Sequence, residues 1–170
     1  MGFTAPTTRA TSFFVTAAIW NAEHVDNFNT SVMHLIARKT ADESTSSTTL
    51  QNDDHLLTPT IPLNEVWLLE WALTAVSAAG AFKVAVTFPS GTFSGAITGV
   101  SGDLFVSGNG TVTNTQTASS NSATDGMAHR LRGVFTCGGT GGVVTLQWAS
   151  TAGANVTQKA NSTLWGVKLA

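Results

Sequence analysis

Beyond residue 37, apolar and polar residues alternate along much of the chain, and this period of two is typical of half-buried β-strands. The inner face of residues 66–76 is predicted to carry Trp67, Leu69, Trp71 and Leu73. The inner face of residues 82–88 is predicted to carry Phe82, Val84, Val86 and Phe88. Several such segments, separated by turn residues, predict an all-β fold, a β-sandwich or jelly roll, over residues 37–170.

The second half of the chain has weaker strand patterns and two segments without them. In residues 143–149 we expect Val144, Leu146 and Trp148 to point inward. The almost wholly polar stretch Ser107–Gly126 is predicted to be a long exposed loop or a hairpin that projects from the end of the sandwich, with a weak strand pattern at Thr111–Thr117. The glycine-rich run Gly138–Gly142 is predicted to form a hairpin between two strands.

Residues 1–36 differ from the rest and are predicted to form an anchor. Residues 1–15 are expected to be an extended arm, whereas residues 16–36 show helical spacing and a possible N-cap at Thr16. The apolar residues of this segment lack an obvious partner within the chain, so we expect them to pack on another protein. The predicted anchor residues are Phe3, Phe13, Phe14, Trp20, Val25 and Phe28.

Composition narrows the class of protein. Charged residues make up 11% of the chain, against about 25% in typical domains. Eight Lys and Arg residues and a net charge of −2 argue against nucleic acid as a partner. The longest apolar stretch, Val66–Ala81, is interrupted and too short to span a membrane. With no secretion signal and a single cysteine, Cys137, we expect synthesis in a reducing cytoplasm and a buried, inert thiol.

The sequence contains no recognisable catalytic or metal-binding motif. No Ser-Gly dipeptide has the glycines of a nucleophile elbow. The trio Asp53-Asp54-His55 has metal-ligand types, but a solvated turn is the favoured interpretation, since Asp42-Glu43 joins it only if the chain folds back. A pair of catalytic carboxylates for glycoside cleavage that come together only in the folded chain stays an open alternative. The sequence therefore predicts no catalytic residues, no cofactor and no metal.

The strand segment Trp67–Ala75 looks apolar on more than one face, and that predicts a subunit interface. We expect a symmetric homo-oligomer, a trimer, with Trp67 and Trp71 at the contact. There are two alternatives for these tryptophans: they lie in the core, or they are exposed and serve as platforms on which a sugar stacks.

Two segments carry a resemblance. The first is Val15-Thr16-Ala17-Ala18-Ile19-Trp20-Asn21, continuing to Phe28, and the second comprises residues 39–44 and 47–56 with the turn Asp53-Asp54-His55-Leu56. The first is similar to a T-A-A-x-x-N segment near the start of virion proteins of tailed phages, and the second to the opening of their jelly-roll domains. The chain thus resembles virion structural proteins of actinobacteriophages. The resemblance implies a trimeric, jelly-roll virion protein without catalytic residues.

These observations predict a structural protein on the surface of a phage particle. The leading interpretation is a capsid decoration or head-fibre protein, whose N-terminal arm docks on the major capsid protein or another virion protein. The alternative is a tail-tip or receptor-binding protein that recognises host cell-wall carbohydrate, with Ser107–Gly126 as one place for the glycan. An enzyme such as a cell-wall hydrolase is the least favoured class.

Overall fold

The computed structural model describes residues 34–77, 80–98, 104–109, 116–120 and 127–170. Within these ranges the chain forms antiparallel strands arranged in two sheets. The strands are β1 (His34–Arg38), β2 (Glu43–Thr45), β3 (Gln51–Leu57), β4 (Val66–Ser77), β5 (Gly80–Thr87), β6 (Gly91–Thr98), β7 (Leu104–Asn109), β8 (Gln116–Ser120), β9 (Met127–Cys137), β10 (Thr145–Ser150), β11 (Val156–Gln158) and β12 (Thr163–Lys168).

The strand order is that of a jelly roll. The larger sheet has the order β1-β12-β4-β9-β6-β7, with β11 pairing β2 and β4, and the smaller sheet has the order β3-β10-β5-β8. Strands from the two halves of the chain pair in nested fashion: β1 with β12, β3 with β10, β4 with β9, and β5 with β8. One long antiparallel hairpin is thus rolled into two layers. The prediction of an all-β sandwich is confirmed.

The core lies between the two layers, as the alternation predicts. Along β4 the inward positions from Leu69 to Ser77 are buried, while those between them are half-exposed. Trp71 packs edge-on against Phe93 with ring centroids 6.1 Å apart, and its Nε1 donates to the Leu56 carbonyl, 3.2 Å away in the opposite sheet. The predicted inward residues of β5 and β10 are buried as well. Trp71 therefore links the two layers at the centre of the sandwich.

The boundary of the predicted anchor needs correction. β1 begins at His34 and pairs with β12 from His34 to Arg38, so residues 34–36 lie in the sandwich rather than in a helix. Ile36 and Ala37 pack against the core. The apolar spacing gave the wrong element here because β1 is short, and a few apolar positions do not distinguish a strand from the end of a helix. The rest of the predicted arm and helix lies outside the described residues.

Two further predictions are wrong. The segment Ser107–Gly126 is not a loop throughout, since β7 ends within it and β8 pairs with β5 from Gln116 to Ser120. The run Gly138–Gly142 is not a hairpin, because β9 belongs to the larger sheet and β10 to the smaller one. It is a crossover between layers, held by two backbone hydrogen bonds between Gly142 and Ile61.

Candidate interaction surface

The outer face of the larger sheet carries an apolar surface that crosses four strands. Leu35 on β1 lies directly opposite Trp165 on β12, and Val167, two residues further along β12, lies opposite Leu68 on β4. Leu68 in turn lies opposite Val134 on β9. Directly opposed residues share a face and touch. These five residues are called the outer apolar band.

The band is open to solvent on the described surface. Leu35 is 48% exposed, and Val134 and Trp165 are each 37% exposed, whereas Leu68 and Val167 are half-buried between them. Single exposed apolar residues are common on protein surfaces, but a contiguous set is characteristic of a binding site. The band is therefore the candidate functional surface.

A small charged group borders the band. Glu70 lies between Trp165 and Arg132 on the same face. One carboxylate oxygen is 3.1 Å from Nε of Arg130 and the other is 3.6 Å from Nε of Arg132. Both arginine side chains are more than half exposed and the glutamate is largely covered. This edge of the band consequently presents two guanidinium groups and about one net positive charge.

A shallow depression lies next to these charges. Its volume is about 440 Å³, and it is lined by Ala72, Leu73, Thr74, Thr98, Ala128, His129, Arg130 and Asn161. Ala72 faces Arg130 and Thr74 faces Ala128 across the β4–β9 pair, so small outward side chains form the floor. Pockets with a few convergent polar groups are the usual form of a small-ligand site. The outer face thus offers an apolar half and a polar half.

Of the two tryptophans predicted at a subunit contact, Trp71 lies in the core, whereas Trp67 is half-buried and its role in a contact stays a prediction. Trp71 is 0% exposed and packs in the core of its own chain, so its side chain is out of reach of a second copy and cannot stack on a sugar. Trp67 is half-buried, packs against the same core and donates through Nε1 to Glu65 at 2.9 Å. The alternation predicted that both share a face, but the period of two cannot distinguish a core face from an interface.

The predicted anchor residues fall outside the described part of the chain. Phe3, Phe13, Phe14, Trp20, Val25 and Phe28 all precede His34. Their role in docking stays a prediction.

The trio Asp53-Asp54-His55 lies in β3 rather than in a solvated turn, and Asp53 belongs to an ion-pair network around a buried lysine. Lys39 Nζ lies 3.1 Å from Asp53 Oδ2 and 2.5 Å from Glu43 Oε2, and both Lys39 and Asp53 are fully buried. Glu43 does fold back to join Asp53, Asp54 and His55, whose potential ligand atoms lie within 4.8 Å of one another. The lysine ammonium already supplies the positive charge at this place, and a divalent cation would be repelled by it. The cluster is accounted for by charge pairing within the fold.

Two other titratable groups are buried in the sandwich. The Cys137 thiol lies against the carbonyls of Thr140 and Ile61, and burial raises its pKa above the usual value, which disfavours the thiolate. Burial likewise lowers the pKa of the His129 imidazole, whose ring packs edge-on against Phe82 at 4.8 Å. Among the described residues, neither group lies beside a partner that would activate it as a nucleophile or base.

No protein-family model matches this chain, and no curated protein matches it either. In the part of the chain that the structure describes, no helix is long and apolar enough to cross a membrane.

Sequence reasoning missed the band because its members come from distant strands. Trp165 and Leu35 lie near opposite ends of the chain and meet only when β1 pairs with β12. A usable signal was present in β12, where Trp165 alternates with Leu164 and Gly166. Because Leu164 and Gly166 point inward, the tryptophan between them must point outward, and a bulky aromatic residue in that position indicates an exposed apolar face.

Proposed function

We propose that this protein is a non-enzymatic structural component of a tailed-phage particle, a decoration protein that docks on the capsid shell. The observation that carries the proposal is the outer apolar band, since an exposed contiguous apolar surface marks a binding site for another macromolecule. The jelly roll adds support at the level of fold alone, because viral capsid and lectin domains both use it. The resemblance of residues 15–28 and 39–56 to phage virion proteins points the same way.

The position of the band favours the capsid shell, through the major capsid protein or another virion protein, as the partner that covers it. β1 is an edge strand of the larger sheet and contributes Leu35. The chain that precedes His34 therefore starts beside the band, and the predicted anchor of residues 1–33 and the band can engage the same partner. Two adjoining attachments on one chain would reinforce each other through effective concentration.

A homotrimer stays in the proposal as the form of the particle-bound protein. Trp71 cannot contribute to its interface. We assign the outer apolar band to binding of the capsid shell and not to self-association. A single substitution in the band distinguishes these two roles, because it should weaken capsid binding in the first case and change the oligomeric state in the second.

The test is a capsid-binding assay with a matched pair of variants. Val134→Glu places a charge in the band without altering the core, because Val134 points outward. Leu63→Glu makes the same kind of change at a residue that is 56% exposed but lies between β3 and β4, outside the band. We expect Val134→Glu to reduce binding to empty capsids of the phage that encodes the protein at least tenfold, and Leu63→Glu to leave it unchanged.

Three results would contradict the proposal. If Val134→Glu changes the oligomeric state in sedimentation and leaves capsid binding intact, the band is a self-association surface. If the unaltered protein binds host cells and ignores capsids, the decoration role is overturned. Turnover of cell-wall polymer, lost on substitution of a single acidic residue, would overturn the non-enzymatic class.

One observation favours a second candidate, a receptor-binding protein for cell-wall carbohydrate. The exposed indole of Trp165 lies beside Glu70, and the depression rimmed by Arg130 adjoins them. Aromatic faces combined with a few polar groups are typical of ligand sites. For this candidate, Trp165→Ala should abolish binding to whole host cells while Trp165→Phe preserves part of it.

A further inference from the structure

Four polar side chains are buried in the core with no hydrogen-bond partner among the described residues. They are Ser77, His129, Ser150 and Gln158, each at most 2% exposed. The unpartnered atoms are the two serine hydroxyls, both imidazole nitrogens and both amide atoms of the glutamine. More than nine in ten buried polar groups in folded proteins have a partner, so four such side chains in one domain require an explanation.

The four side chains lie at one end of the sandwich. Ser77 follows Leu73 and Ala75 on the inward face of β4. His129 is the cross-strand neighbour of Leu73 on one side, and Gln158 is that of Ala75 on the other. These three polar residues therefore lie on the inward face of the larger sheet, each opposite or within two strand positions of Ala75.

The opposite sheet closes the same region. Phe82 on β5 packs its ring on His129 with centroids 4.8 Å apart, and Ser150 on β10 is the cross-strand neighbour of Phe82. Polar groups from both layers thus face one end of the core, whereas the centre, around Trp71 and Phe93, is apolar. The clustering argues against four unrelated packing defects.

We propose that this end of the core binds a small cluster of ordered internal water molecules, held by Ser77, Ser150, His129 and Gln158. The donor and acceptor inventory fits water: hydroxyl and amide groups both donate and accept, and a neutral imidazole does one of each. The described members of the cluster carry no carboxylate, so a cation is not favoured. Burial lowers the pKa of His129 and keeps the ring neutral near pH 7. Internal waters commonly make about three hydrogen bonds to such groups.

The water molecules would satisfy the polar groups of the sandwich itself, in a decoration protein and in a receptor-binding protein alike.

Two measurements on a pair of variants test it. A high-resolution crystal structure of the full chain should show water peaks within hydrogen-bond distance of at least two of the four side chains. Gln158→Leu keeps similar volume and removes two polar atoms, and it should displace at least one peak. Gln147→Leu, at a half-buried glutamine on the outer face of β10 whose Nε2 donates to Asn52, is the control and should leave the peaks in place.

Chemical unfolding gives an independent readout with a definite sign. If the cluster is dry, Gln158→Leu removes an unsatisfied amide, and the unfolding equilibrium constant falls about tenfold or more. If the cluster is hydrated, the leucine strands the remaining groups, and the constant stays within a few-fold of wild type or rises. Should Gln158→Leu fail to fold, Ser150→Ala serves the same purpose with a smaller change. A dry cluster, rotation of the side chains onto protein partners, or density for a larger ligand would overturn the proposal.

Discussion

Lys39 is the least expected single placement in the sandwich, because lysine is almost never fully buried unless it is paired. Its ammonium contacts Glu43 at the start of β2 and Asp53 in β3, which belong to different sheets. Asp53 Oδ1 accepts hydrogen bonds from the backbone N–H groups of His55 and Leu56, each at 2.8 Å. The network therefore holds the two layers together where they meet.

Removing one partner of this buried pair should be costly. Asp53→Asn keeps an oxygen for the backbone N–H groups and removes the charge that balances Lys39, so the ammonium is left buried with Glu43 alone. We expect the free energy of unfolding in urea to fall by about 3 kcal/mol. Asp42→Asn, which breaks the exposed pair with Lys159, is the control and should have a clearly smaller effect. Equal losses from the two substitutions would contradict the assignment.

His129 should make stability depend on pH. Burial lowers its pKa in the folded chain, whereas the unfolded value is about 6.5. The stability that depends on neutral His129 is therefore complete above pH 6.5 and is lost as the pH falls towards the folded pKa, at up to about 1.4 kcal/mol per pH unit. His129→Phe keeps a ring against Phe82 and cannot titrate. Urea unfolding at pH 7, 6 and 5 should show a flatter profile for the variant, and parallel profiles would exclude His129 as the cause.

At the scale of elements, β6 and β9 approach each other closely where two glycines pair. Gly95 lies opposite Gly133, and a Cβ added at Gly133 would be 2.5 Å from Phe93 Cζ and 2.7 Å from the Ser94 carbonyl oxygen. Phe93 occupies that space and packs on Trp71. The glycine pair thus allows an aromatic ring to lie across the backbone of the neighbouring strand.

Gly133→Ala should destabilise the sandwich for this reason. The added methyl group must displace the Phe93 ring or part the strands, and overpacking of this kind costs about 1–3 kcal/mol. Gly139→Ala is the matched control, because a Cβ there meets nothing within 4 Å. Thermal unfolding of both variants checks the expectation. A Gly133→Ala protein as stable as the control would show that the β6–β9 contact yields without cost.

The sequence predicts elements well where large apolar residues alternate and poorly where backbone pairing alone defines a strand. β4, β5 and β10 were all predictable, since each carries bulky inward residues at every second position. β8, with the sequence Gln116-Thr117-Ala118-Ser119-Ser120, contains no large apolar residue, and its strand character comes from hydrogen bonds to β5. Periodicity likewise could not show that β9, which ends at Cys137, and β10, which begins at Thr145, belong to different sheets.

At the scale of the whole molecule, the candidate surface was less predictable than the fold because it depends on which distant strands pair. In a rolled hairpin the first and last strands become neighbours, so the band joins Leu35 near the start of the described chain to Val167 near its end. The Lys39 network was predictable only in part, since residue types and spacing indicated a cluster of acidic residues but not the buried lysine ammonium group within it. Surfaces assembled by long-range pairing require the topology before they can be identified.

The nested pairing also predicts where the N-terminal segment can be cut. A protein that begins at His34 retains β1 and every contact of β1 with β12, so it should fold with a melting temperature close to that of the full chain. If residues 1–33 form the anchor, this protein should nevertheless load poorly onto particles.

A protein that begins at Thr40 should behave differently, although it is only six residues shorter. It lacks β1, so β12 loses its edge partner, the contacts of Ile36 and Ala37 with the core are removed, and Asp53 loses Lys39. Loss of a buried charge partner and of apolar burial together should lower the melting temperature by roughly 5 °C or more. Circular dichroism melting of the two truncated proteins, with particle loading measured in parallel, separates anchoring from folding. If both melt like the full chain, β1 is dispensable and the sandwich begins later than His34; if the His34 protein loads normally, docking does not require residues 1–33 and the band is left to account for it.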